Sequence, residues 1–172
     1  CVLQGTSFTF PENTFTAPSG KMFAGWSDAT NTYQPDAIRT LNEDTTFTAV
    51  WINGVMVPKT GSETLDLSEQ DAGYSITIFD DGGPSEKYEN YSDGTLSVIL
   101  PEGKALHISG TVDTEGGYDY LYVYSGSTDH LLAVIDGENQ ELDISSADSP
   151  VILRFTSDSG VNKSGFALDA EI

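Results

Sequence analysis

The chain has 172 residues, of which 38% are hydrophobic and 10% aromatic, enough apolar material for one ordinary domain or two small ones, so it is globular and not disordered. Seven basic residues against 27 acidic ones give a formal charge of −20, which repels phosphate backbones and anionic bilayers and gathers cations, so nucleic acid is excluded as a partner. No run approaches the eighteen or so apolar residues of a membrane span, and one cysteine with two histidines leaves neither an internal disulfide nor a zinc cluster.

Along the chain, helical periodicity is absent and short alternating runs take its place. TSFTFP, KMFAGW, TTFTAVW, GYSITIFD, GTLSVILP, KALHISGTV, YDYLYVYSG, HLLAVIDG, SPVILRFTS and GFALDAEI each set β-branched, aliphatic or aromatic side chains at every second position. Gly, Pro, Asn, Asp or Ser bound them, so each is predicted to be a strand of an all-β protein. There is no starting Met and no charged-then-apolar leader, so Cys1 is expected to mark a fragment boundary; the first residue of a mature bacterial lipoprotein is the other reading.

Residues 1–56 carry a net charge of −3 and the rest −17, which divides the chain into two modules. Residues 57–73, where Gly, Pro, Ser and Thr interrupt any period, are expected to be a linker. Within it, Val57-Pro58-Lys59-Thr60-Gly61 is similar to the pentapeptide that sorts Gram-positive proteins to the cell wall. It starts with Val where that signal has Leu, and it precedes another β-rich module where the signal sits at the carboxyl end.

The first module reads as a small β-meander with a core of Phe15, Phe23, Trp26, Tyr33, Phe47 and Trp51. Its Met22-Phe23-Ala24-Gly25-Trp26 and Phe47-Thr48-Ala49-Val50-Trp51 resemble the Listeria–Bacteroides repeat, related to the B repeat of internalin B. The resemblance implies a small β-grasp-type unit of a bacterial surface protein with no catalytic residues. It covers only the later part of such a repeat, whose opening strand would precede Cys1, so strand exchange with a neighbouring molecule is expected of this module.

Residues 74–172 carry evenly spaced strands and no helix, the pattern of a β-sandwich. The predicted core is Leu96, Val98, Leu106, Ile108, Leu121, Val123, Val134, Ile152, Leu153, Phe155 and Phe166. In this module Glu115 and Asp119 flank Gly116-Gly117, so their carboxylates can converge across a tight turn, and Asp158 in Ser157-Asp158-Ser159-Gly160 offers a third from a distant loop. Calcium takes six to eight such oxygens at about 2.3–2.6 Å. On spacing alone two readings stand, a metal site and solvated acids placed for turn geometry.

The ordered segments Asp80-Asp81-Gly82-Gly83-Pro84, Glu115-Gly116-Gly117-Tyr118-Asp119-Tyr120-Leu121, and Arg154-Phe155-Thr156-Ser157-Asp158-Ser159 followed by Ser164-Gly165-Phe166 resemble the CUB domain. That resemblance implies a jelly-roll-like β-sandwich of an extracellular protein, with Ca2+ held by Glu115, Asp119 and Asp158. Tyr88 aligns with a family tyrosine that supports these ligands, and Asp113 falls outside the pattern. The disulfides common in animal members are missing, with Gly94 where a cysteine is expected.

No nucleophile motif accompanies His107 or His130, so no catalytic residue is assigned and no enzyme is expected. The leading reading is a calcium-binding adhesion or recognition module, secreted or on a bacterial surface, binding an extracellular protein or glycan and not inserting into membranes. The alternative is an accessory region of a large secreted hydrolase whose catalytic domain lies upstream, there for substrate targeting or as a spacer.

Overall fold

In the computed structural model, which describes residue 5, residues 7–18 and residues 21–172, the alternating runs become strands and no helix forms among the described residues. Cys1 lies outside them. The chain divides into two compact units, Cys1–Asn53 and Gly54–Ile172.

In the first unit β1 (Ser7–Thr9) pairs with β4 (Ile38–Thr40), and β2 (Lys21–Ser27) lies between β3 (Thr32–Tyr33) and β5 (Thr48–Met56). The strands are held by an aromatic cluster, since such short elements bury little else. Phe10, absent from the expected core, is its buried centre, with ring centroids 4.7 Å from Tyr33 and 4.8 Å from Phe47. Phe23 bridges Trp26 and Trp51. Phe15 is the correction: it is 61% exposed, because Asn13 Oδ1 accepts its N–H at 3.0 Å and turns the chain outward, leaving only ring-edge contact with Trp26.

The second unit is a two-layer β-sandwich. One sheet runs in the order β11 (Leu131–Ile135), β10 (Tyr120–Ser125), β13 (Val151–Thr156), β8 (Asp93–Ile99), β6 (Thr60–Asp66). The other places β12 (Gln140–Ser146), β9 (Leu106–Asp113), β14 (Gly165–Glu171) and β7 (Ser75–Phe79) side by side, with residues 54–56 parallel to β7. Successive side chains on a strand point to opposite faces, so Leu96 and Val98, Leu121 and Val123, and Leu153 and Phe155 turn inward, as do Ile76, Ile108, Leu142 and Leu168 of the second sheet. Each such fully buried side chain contributes roughly 1.5–3 kcal/mol. Val134 of the expected core is 45% exposed, because its neighbour Ile135 takes the inward position on β11.

The expected linker is not one. Thr60–Asp66 is β6, parallel to β8 from Thr60 opposite Asp93 to Asp66 opposite Ile99, and Val57 and Leu67 are buried in the sandwich core. Its polar composition concealed it: as an edge strand it exposes most of its side chains, so only Leu65 carries an apolar signal. The Val57–Gly61 pentapeptide is thereby built into the fold, with Val57 fully buried and Thr60 and Gly61 in a ladder.

Candidate metal centre

Glu115 and Asp119 come from the connection between β9 and β10, and Asp158 from the connection between β13 and β14. Strands β10 and β13 are hydrogen-bonded neighbours, with Tyr120 opposite Thr156, so their ends bring Asp119 beside Asp158 across 39 positions of sequence. One ligand oxygen from each of Glu115, Asp119 and Asp158 lies within 4.8 Å of the others.

The turn carrying two of these carboxylates is tied from both sides. Asp119 N–H donates to Glu115 O at 3.0 Å, closing the loop on itself. Buried Thr114 then joins it to the turn after β11: its N–H donates to Gly137 O at 3.0 Å, its Oγ1 accepts the Gly137 N–H at 3.0 Å and donates to Asp119 O at 3.1 Å. Gly117 N–H donates to Asp136 Oδ2 at 2.7 Å. Thr114 and Asp136 carry no periodic or motif signal, and sequence reasoning missed both.

Asp119 is fully buried, a costly position for a carboxylate unless donors meet its oxygens. Tyr88 Oη–H donates to Oδ2 at 2.6 Å and Asp158 N–H donates to Oδ1 at 2.8 Å. Tyr88 is itself buried, its ring edge-on to Phe155 at 5.0 Å. Burial and the Asp119 bond push its phenol well above the ordinary tyrosine range, which keeps it a donor. Tyr88 Oη also accepts the Glu115 N–H at 3.2 Å, so one hydroxyl orients two acidic residues.

Glu115 and Asp158 are half-buried. Burial, and then the charges of Asp158 and Asp119, raise the Glu115 pKa. Asp158 Oδ1 accepts the Gly160 N–H at 2.8 Å, which fixes its loop. The Asp113 carboxylate instead accepts Ser164 Oγ–H at 2.5 Å and stands outside the cluster.

The donor set is all oxygen and rich in charge, which suits a hard cation. Oxygens bound to one Ca2+ at about 2.4 Å lie at most about 4.8 Å apart, and those around Mg2+ at about 2.1 Å at most about 4.2 Å. With one oxygen from each within 4.8 Å of the others, the three carboxylates are spaced to share one hard cation.

The family profile of the CUB domain matches residues 69–169. The chain belongs to the CUB family. A curated relative, "Putative protein tag-53" of Caenorhabditis elegans, is 32% identical over 101 residues, covering 51% of this chain and 8% of that protein, so the chain spans a small fraction of its relative's length. The human MASP-1/3 CUB1-EGF-CUB2 structure superposes with a TM-score of 0.52 at 20% identity over 66% of this chain and 42% of that one. A MASP-1 CUB2 domain solved bound to Ca2+ gives 0.51 at 22% identity over 59% of this chain and 95% of that one. These similarities establish the CUB fold for the sandwich.

The CUB profile starts after β6, yet β6 and the connection leading into it are integral to this sandwich. A Cβ on Gly94 would lie 1.5 Å from Pro58 O, so the backbone preceding β6 fills the space that a cysteine would need there.

Proposed function

We propose that this chain is a calcium-binding recognition module of an extracellular protein, with Glu115, Asp119 and Asp158 as the protein ligands and Tyr88 as their positioning residue. CUB domains are non-catalytic interaction modules. The convergence of three carboxylates within 4.8 Å around a buried, hydroxyl-held Asp119 carries the reading. The Ca2+ in the MASP-1 CUB2 structure supports the choice of ion.

Calcium would supply the positive charge that the cluster lacks and lock the β9–β10 and β13–β14 loops together. Carboxylate oxygens left facing solvent then receive a Lys or Arg of a protein partner, or the hydroxyls of a glycan. The first unit, with its Ala24-Gly25-Trp26 and Ala49-Val50-Trp51 strands, fits a Listeria–Bacteroides repeat of a secreted or surface-attached bacterial protein, and so a spacer.

Calorimetric titration with calcium tests the site. Wild type binds one ion, and Asp119→Ala abolishes the heat; an isotherm unchanged by the substitution, or no heat in wild type, overturns the reading. A protein and glycan array probed with and without chelator tests recognition, with calcium-dependent capture the expected result.

A further inference from the structure

We propose that the free edge of β11, with the apolar surface beside it, is a second recognition site that takes an extended, neutral-to-basic strand of another protein as a sixth strand of its sheet. The inference does not rest on calcium binding.

Edge strands expose unpaired N–H and C=O groups, and proteins blunt them with charged side chains, Pro, bulges or inward-pointing charges. Two of the sandwich edges follow that rule among the described residues: β6 carries Glu63, Asp66 and hydroxyls, and β12 carries Glu141 and Asp143. The edge at β11 has only a bulge, where Leu132 has no partner on β10, and carries neither charge nor proline. It pairs with β10 on one side only, its five residues are Leu-Leu-Ala-Val-Ile, and Leu131, Leu132 and Val134 are 52%, 43% and 45% exposed.

The surface beside this edge continues its chemistry. Val134 lies opposite Tyr122 and Leu131 opposite Tyr124. The Tyr120, Tyr122 and Tyr124 rings follow one another at 5.9 and 6.3 Å, and the Arg154 guanidinium sits 5.9 Å from the Tyr122 ring. Tyr and Arg with exposed aliphatics, and few acids, is the composition of an interface core. The exposed positions of the opposite sheet, by contrast, carry Glu141, Asp143, Asp169 and Glu171.

Charge and chemistry select the occupant. A second copy brings another −20 and is repelled, whereas a neutral or basic chain is accepted or drawn in. Leu131, Leu132 and Val134 offer a glycan no hydrogen bond, but alternate apolar side chains of an added strand cover them while its backbone pairs with β11.

The test uses the full chain and a capped nine-residue peptide alternating Val and Lys, followed by anisotropy and amide exchange at physiological salt. Binding is expected to protect amides within 131–135. Val134→Lys should weaken it ~10-fold, and Leu132→Thr by a smaller factor, while Thr111→Lys, an equal charge change on the opposite sheet, shifts it less than ~2-fold. Melting curves confirm that the exposed-site variants fold. No binding, equal weakening by Val134→Lys and Thr111→Lys, binding without protection of 131–135, or protection by a soluble β-glucan in place of the peptide overturns the proposal.

Discussion

Tyr88 Oη carries a disproportionate share of the site's order, donating to Asp119 at 2.6 Å while accepting from the Glu115 backbone. Tyr88→Phe keeps the ring packed on Phe155 and removes only the hydroxyl. A hydrogen bond to a charged group is worth about 1.5–3 kcal/mol, so denaturant titration in chelator should show a loss of that order. With calcium present the loss should shrink, because the cation then offsets the Asp119 charge. Asp80 is the second residue with a measurable signature: it is fully buried, and its oxygens accept the Phe166 N–H at 2.6 Å and the Gly82 N–H at 2.8 Å. Gly165 adjoins it because a Cβ there would lie 1.9 Å from Asp80 Oδ2. Burial pushes the Asp80 pKa up from 3.8 to about 6. The folded state therefore binds its proton more tightly than the unfolded chain, and this contribution to stability, full below pH 4, is lost as pH rises through 6. At saturating calcium, the stability of wild type relative to Asp80→Asn should fall by at most about 3 kcal/mol between pH 4 and 7.

At the scale of elements, the connection between β5 and β6 substitutes for a covalent brace. Gly94 is buried against Pro58 O, and β6 lies parallel to β8 through seven residue pairs. Gly94→Ala should force this backbone away, and overpacking of that kind costs about 1–3 kcal/mol or more, read as a lowered urea midpoint. The turn after β11 is tied to the acidic loop through Thr114, Gly137 and Asp136. Asp136→Ala frees the Gly117 N–H, and calcium affinity measured by calorimetry should drop several-fold while the melting temperature in chelator changes little, since Gly117 and Asp136 are not in the core.

For the whole molecule, −20 is a self-repulsion that a bound cation relieves. With free calcium one-hundred-fold above its dissociation constant, binding stabilises the fold by about 2.7 kcal/mol. Chelation should therefore lower the melting temperature by a few degrees in a scanning experiment. Sodium chloride, by screening the acids, should raise the chelated protein's melting temperature more than that of the calcium-loaded one.

The ten alternating segments read from the sequence are all strands, because a period of two with turn residues at each end leaves the backbone little choice. β3, β4, β6 and β12 were not legible: they are two or three residues long, or they lie at edges where polar side chains such as Glu141 and Asp143 mask the period. The residue types of the acidic site and the CUB order of its motifs were likewise present in one dimension. What tertiary structure alone decided is which acids meet. The β10–β13 ladder, not proximity in sequence, sets Asp158 against Asp119, and it leaves Asp113, only two positions from Glu115, bonded to Ser164. Sequence determines which residues carry charge and which face of a strand they share; pairing between distant strands determines which charges share a volume small enough for one ion.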